Sequence, residues 1–138
     1  MQLLSVQGKK GYLMMKRRTI NDYVCPVCFR KPENCICKCY SMTLILIDEK
    51  LQYAIQNLND IGLVTVDCCQ GHFDERIPNI YISFRDNISD CPDEFIIENN
   101  KVIRYIYKNY NSRKEFEEEQ NYIIKKLNKW VKDKIESR

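Results

Sequence analysis

Apolar positions along the chain follow two different periods, which predict strands and helices in a definite order. Residues 43–47 form a β-branched apolar run that is typical of a buried strand. Residues 51–61 repeat Leu, Ala and Ile at helical spacing, between Asp48 as a predicted N-cap and Gly62 as a predicted C-terminal glycine. Residues 63–68 predict a second strand, and a right-handed crossover through the helix would leave the two strands parallel.

The second half of the chain predicts a further strand, a hairpin and a long helix. Residues 80–84 alternate as a half-exposed strand. Residues 95–97 and 102–107 flank an asparagine-containing turn, which favours a hairpin because asparagine tolerates a positive φ. Ser112 and Glu115 form a capping box at the start of the helix. The apolar stripe of this helix comprises Phe116, Ile123, Leu127, Trp130 or Val131, and Ile135.

Together these elements predict the fold class. We expect an α+β domain over residues 42–138, built on a mixed sheet of four to five strands. Two helices, at residues 48–61 and 113–135, would cover the sheet. Residues 1–14 show neither periodicity nor caps, and we expect them to be a leader upstream of a true start at Met14 or Met15.

The strongest chemical signal is a cluster of five cysteines within fifteen residues. Four of them are predicted metal ligands: Cys25, Cys28, Cys35 and Cys37. A Cys-x-x-Cys step can hold one tetrahedral ion from a single turn, and a second close pair can complete the site. Cys39 is a fifth thiol that could replace Cys35 or Cys37 as a ligand. Since four thiolates leave no coordination position open, we expect one structural Zn²⁺ in a module at residues 15–41.

Two resemblances accompany these motifs. The Cys-Pro-Val-Cys turn at residues 25–28 resembles the short zinc-ribbon and zinc-knuckle families, which implies metal binding. The following domain resembles small uncharacterised proteins of AT-rich bacteria and their phages. That likeness rests on Leu-Asn-x-x-Gly-x-x-Thr at residues 58–65 and Cys-Cys-x-Gly-His at residues 68–72, and it implies no activity.

A second constellation follows the predicted strand 63–68. It contains Cys68, Cys69 and the only histidine, His72, and Cys91 could join it. Three interpretations stay open: a second metal site, a cysteine–histidine pair for nucleophilic catalysis, or a core cysteine beside a loop histidine. Strand alternation places Cys68 and Cys69 on opposite faces, which disfavours a site that uses both.

Charge is strongly segregated along the chain. Residues 1–39 carry eight basic and two acidic residues. Residues 40–100 carry three basic and eleven acidic residues, and residues 101–138 carry eleven basic and six acidic residues. The acidic middle disfavours one continuous nucleic-acid track and suits docking onto a protein with complementary patches. No apolar run approaches the roughly 20 residues of a membrane helix. The N-terminus lacks the continuous apolar core of a secretory signal, so we expect the thiols to lie in the reducing cytoplasm.

These observations lead to one main expectation and two alternatives. The main one is a cytoplasmic, zinc-stabilised, non-enzymatic protein that binds and inhibits a host or defence protein, encoded by an AT-rich bacterium or phage. The first alternative is nucleic-acid binding through the basic module, with phosphate contacts from Arg17, Arg18, Arg30 and Lys31 and with Phe29 stacking on a base. The second is an enzyme that uses Cys68 or Cys69 with His72.

Overall fold

The computed structural model describes residues 2–5, 23–37 and 43–138, and over these residues the protein has an α+β fold. The predicted fold class is confirmed. The strands are β1 (Gln2–Ser5), β2 (Tyr23–Val24), β3 (Thr43–Leu46), β4 (Thr65–Cys69), β5 (Asn79–Phe84), β6 (Ile96–Glu98) and β7 (Val102–Ile106). The α-helices are α1 (Gln52–Asp60), which a 3₁₀ turn at Glu49–Leu51 precedes, and α2 (Arg113–Glu136). Neither of these described helices carries an apolar stretch long enough to cross a membrane.

The strands form two antiparallel sheets, with the orders β1-β3-β2 and β4-β5-β7-β6. The prediction of one mixed sheet in which β3 runs parallel to β4 is wrong for the described strands. A strand has only two edges for pairing. Both edges of β3 are taken, by β1 on one side and β2 on the other, so β4 pairs with β5 instead.

The predicted hairpin is confirmed in β6 and β7. Asn99 and Asn100 both adopt left-handed backbone conformations, with φ of 52° and 61°, in the turn that joins the two strands. Two consecutive residues with positive φ match the tight hairpin turns that agree with strand twist. Asparagine tolerates this conformation because its short polar side chain can hydrogen-bond locally.

Helix α2 begins at the predicted cap. The Ser112 hydroxyl accepts a hydrogen bond from the Glu115 backbone N–H at 3.1 Å, and the Glu115 carboxylate accepts one from the Asn111 N–H at 2.8 Å. Of the two alternatives for the apolar stripe, Val131 is fully buried, whereas Trp130 is half-buried and donates its indole N–H to Asp90.

One hydrophobic core joins both helices, the inner face of the four-stranded sheet and part of the cysteine-rich segment. Val24 and Phe29 belong to the same cluster as Ile45, Ile55 and Leu127. The predicted boundary between residues 41 and 42 lies outside the described residues, as do Met14 and Met15. Gln2–Ser5 form β1, and the start site stays a prediction.

Candidate metal centre

Four cysteines converge at one end of the molecule. The Sγ atoms of Cys25 and Cys37 lie 3.6 Å apart, those of Cys28 and Cys35 lie 3.8 Å apart, and those of Cys35 and Cys37 lie 3.4 Å apart. All four sulfurs lie within 4.8 Å of one another. These are the four residues that the sequence predicts as ligands. Cys39, the predicted competitor, lies outside the described residues.

The sulfur spacing distinguishes a metal site from disulfides. A disulfide joins its sulfurs at about 2.05 Å, whereas the sulfur pairs here lie 3.4 to 3.8 Å apart. A metal–sulfur distance of about 2.3 Å places tetrahedral sulfur ligands about 3.8 Å apart. The observed spacing is close to that value, so the cluster could hold a metal ion with little rearrangement.

Short turns explain how the sequence brings these thiols together. The Phe29 N–H donates to the Cys25 carbonyl at 2.9 Å, and the Cys25 N–H donates to the Arg30 carbonyl at 2.8 Å. Phe29 takes a left-handed conformation with φ of 61°, which reverses the chain directly after Cys28. Proline starts a 3₁₀ turn at Pro32–Asn34, and Cys35 directly follows this turn.

The electrostatics of the turn favour a thiolate at Cys28. Burial alone raises the pKa of this thiol. Hydrogen bonds from the backbone N–H groups of Ile36 and Arg30, together with those from the Cys25 and Cys35 thiols, outweigh burial and lower the pKa of Cys28 to about 6. Since metals bind the thiolate, this lowered pKa suits a ligand.

Helix α1 anchors the cysteine-rich turn to the rest of the fold. The Gln52 side-chain amide donates to the Phe29 carbonyl at 3.0 Å. Arg30 forms an ion pair of 2.8 Å with Asp60, near the end of the same helix. The thiols therefore have a fixed position relative to α1.

Of the residues predicted to contact nucleic acid, the structure describes Phe29, Arg30 and Lys31. Arg17 and Arg18 lie outside the described residues, and Arg30 is engaged by Asp60. Phe29, the predicted stacking residue, is buried in the core. Lys31 lines a shallow polar depression near the N-terminal half of α1.

The second predicted constellation is only partly brought together. Cys69 and His72 meet at the end of β4, and their ligand atoms lie within 4.8 Å of each other and of the Asp48 carboxylate. Cys68 points to the opposite face from Cys69, as strand alternation predicts, and the structure places it in the core. The Cys91 thiol contacts the Phe95 carbonyl instead, at 3.4 Å, and burial followed by the charges of Asp90 and Asp93 raises its pKa.

Asp48 is the member that the sequence analysis missed. Its position before α1 indicates an N-cap, but its side chain makes no capping hydrogen bond to the helix. Its Oδ2 atom accepts a hydrogen bond of 2.9 Å from the Gln70 N–H and lies 3.5 Å from Nε2 of His72. An aspartate directly after a buried strand is the one sequence signal that could have indicated this role, since strand ends in α/β units often carry site residues.

The loop between Cys69 and His72 is held by hydrogen bonds from three other elements. The Gln70 side-chain oxygen accepts a hydrogen bond from the Lys50 backbone N–H at 3.1 Å. The Gln70 backbone carbonyl accepts one from the Tyr107 hydroxyl at 2.7 Å. Gln120 of α2 donates to the carbonyls of Gln70 and Gly71, at 3.1 and 3.0 Å. These bonds fix the backbone that carries Cys69 and His72.

Comparison of the chain with protein-family models, with curated proteins and with solved structures gives no match. The resemblance to bacterial and phage proteins stays a prediction.

Proposed function

We propose that the protein is a zinc-stabilised binding protein, in which Cys25, Cys28, Cys35 and Cys37 hold one structural zinc ion and the surrounding module contacts another protein. The observation that carries this proposal is the spacing of the four thiols, close to that of a tetrahedral zinc–thiolate site. An iron–sulfur cluster would separate its cysteines further, because several irons and inorganic sulfides would lie between them. The observed spacing therefore favours a single tetrahedral ion over a cluster.

The ligand set supports a structural role for this ion. Four cysteine ligands fill a tetrahedral coordination shell, so neither water nor substrate can bind the metal. The ion would hold a module whose own apolar core is too small to fold alone. Cys25 and Cys28 are buried beside Val24 and Phe29, so the metal would also fix how this segment packs on the domain.

Two exposed apolar side chains support the binding role. Val27 stands between Cys25 and Cys28, and Ile36 stands between Cys35 and Cys37. Their exposed fractions are 58% and 67%, whereas the other large apolar side chains of the described module are buried. A metal-bound turn would hold both side chains at defined positions in water, where they are available for contact with another protein.

Protein binding is favoured over nucleic-acid binding at the same module. Phe29 is buried, so its ring is not presented for base stacking, and the Arg30 guanidinium is already paired with Asp60. The inhibitory action and the host or defence partner stay predictions.

Elemental analysis and native mass spectrometry test the metal. We expect the Cys25→Ser/Cys28→Ser double variant to lose one zinc ion per chain relative to the wild type. Cys91→Ser is the matched control, because it removes a thiol outside both clusters, and it should retain all metal. A double variant that keeps the full wild-type metal content would contradict the proposal.

Site-specific photo-crosslinking tests the binding surface. A photoreactive residue at position 36 should give a defined cross-linked partner, and the substitution Val27→Ser should weaken that cross-link. Val66→Ser is the control, since Val66 is similarly exposed, at 53%, but belongs to β4. Equal losses from the two substitutions would contradict a contact at the zinc module.

A further inference from the structure

The end of β4 carries a second group of ligand atoms whose composition differs from that of the cysteine cluster. Asp48 contributes a carboxylate oxygen, Cys69 a sulfur and His72 an imidazole nitrogen, and all three atoms lie within 4.8 Å of one another. We propose that these residues form a second site for a divalent metal ion of the zinc type, with one coordination position open to water or a small anion.

The distances are compatible with a single ion. Zinc binds oxygen, nitrogen and sulfur at about 2.0–2.3 Å, which places tetrahedral ligand atoms about 3.3–3.6 Å apart. The Asp48 carboxylate and Nε2 of His72 are already 3.5 Å apart. The remaining pairs are within 4.8 Å and need only a small side-chain adjustment to reach this spacing.

The same three residue types could form a catalytic relay, in which a histidine activates a cysteine and a carboxylate orients the histidine. In a relay the thiol and the carboxylate bind opposite nitrogens of the imidazole, so the ring separates them. Here the Cys69 sulfur lies within 4.8 Å of the Asp48 carboxylate, and the three atoms form a triangle. A triangle suits three ligands around one ion better than a linear relay.

The surroundings hold the ligands in place before any ion binds. The Gln70 N–H donates to the Asp48 carboxylate at 2.9 Å, and the Gly71 N–H donates to the Cys69 sulfur at 3.4 Å. Asp48 is buried, with 6% of its side chain exposed, whereas His72 is 35% exposed. Outer hydrogen bonds of this kind orient metal ligands and raise affinity.

Three protein ligands leave the fourth coordination position of a tetrahedral ion open to an exchangeable ligand such as water. Three protein ligands with a free fourth position are characteristic of catalytic zinc sites, where the open position carries water. His72 also lines a cavity of about 390 Å³, together with Gly71, Phe73, Arg113 and Gln120. Of the three proposed ligands, His72 is the one that lines this cavity, so a small molecule there would lie beside its imidazole.

Metal stoichiometry of the full chain tests the proposal. After zinc loading and removal of excess metal, we expect two zinc ions per wild-type chain by native mass spectrometry. His72→Ala and Cys69→Ser should each retain one, and Cys91→Ser should retain two. His72 is the informative position because its half-exposed side chain can be removed without opening the core, and circular dichroism should show an unchanged fold.

Cobalt substitution tests the open position. Azide should change the visible spectrum of the cobalt-loaded wild type and leave that of His72→Ala unchanged. One zinc ion per wild-type chain that both His72→Ala and Cys69→Ser retain, or a second ion that persists in both of these variants, would overturn the second site. No response to azide in the doubly loaded protein would overturn the open position. The two proposals fail separately in this experiment. The cysteine-cluster proposal fails if Cys25→Ser/Cys28→Ser keeps all of its zinc, and the second site fails if His72→Ala and Cys69→Ser keep all of theirs.

Discussion

Gly71 is the residue at which the backbone of the β4 loop tolerates least change. It has a φ of +83°, and a Cβ atom there would lie 2.5 Å from Cε2 of Tyr107 and 2.9 Å from the Asn79 carbonyl oxygen. Gly71→Ala therefore combines a strained left-handed conformation with a steric clash. We expect a loss of about 2–4 kcal/mol in the free energy of unfolding, measured by urea denaturation.

Gly62 provides the matched control for this prediction. It has a similar φ of +90°, but nothing lies within 4 Å of the position of its Cβ atom. Gly62→Ala should therefore cost only the conformational strain, about 1–2 kcal/mol. Equal losses at the two glycines would show that the close approach of Tyr107 and Asn79 to Gly71 has no energetic effect.

At the scale of the element, α2 depends on the cap at its first turn. The Ser112 hydroxyl accepts the Glu115 N–H, one of the backbone donors that have no partner inside the helix. Ser112→Ala should lower the free energy of unfolding by about 1 kcal/mol. Thermal and urea denaturation, followed by the circular dichroism of the helix, measure this loss.

Ser137 is the control for the capping prediction, since it lies at the other end of α2 and its hydroxyl donates to the Lys134 carbonyl on the exposed surface. Ser137→Ala should change stability by no more than about 0.5 kcal/mol. If the two serines contribute equally, the cap has no special role in α2.

For the whole molecule, the shared core couples the metal centre to global stability. Val24 and Phe29 flank the cysteine cluster and pack in the same core as α1, α2 and the four-stranded sheet. Binding of an ion to the folded state alone stabilises it by about 4 kcal/mol when the free metal concentration is a thousand times the dissociation constant. We expect chelation to lower the unfolding midpoint of the entire domain and zinc to restore it.

The variant Cys25→Ser/Cys28→Ser/His72→Ala is the control for this coupling, because it lacks ligands of both clusters. Its unfolding midpoint should not respond to added zinc. If chelation leaves the wild-type unfolding midpoint unchanged, metal binding stabilises only the cysteine-rich turn and does not contribute to the stability of the shared core.

Much of the fold was predictable because it follows from short-range geometry. The capping box, the asparagine turn of the hairpin and the cysteine turns all involve residues within a few positions of each other, where backbone conformation alone determines the distance. The four thiols are the clearest case, since the spacing of Cys25 and Cys28 already places two sulfurs on one turn. The placement of Cys68 and Cys69 on opposite faces of β4 followed equally from strand alternation.

The sequence by itself therefore determined the α+β class, the two helices and the cysteine cluster. Only the tertiary structure decided that β3 and β4 lie in separate sheets, because this depends on which strands occupy the edges of β3. It also decided that Asp48 joins Cys69 and His72, since these residues meet only when α1 returns the chain from the end of β3 to β4. Contacts between distant segments depend on the packing of whole elements, and no local pattern encodes them.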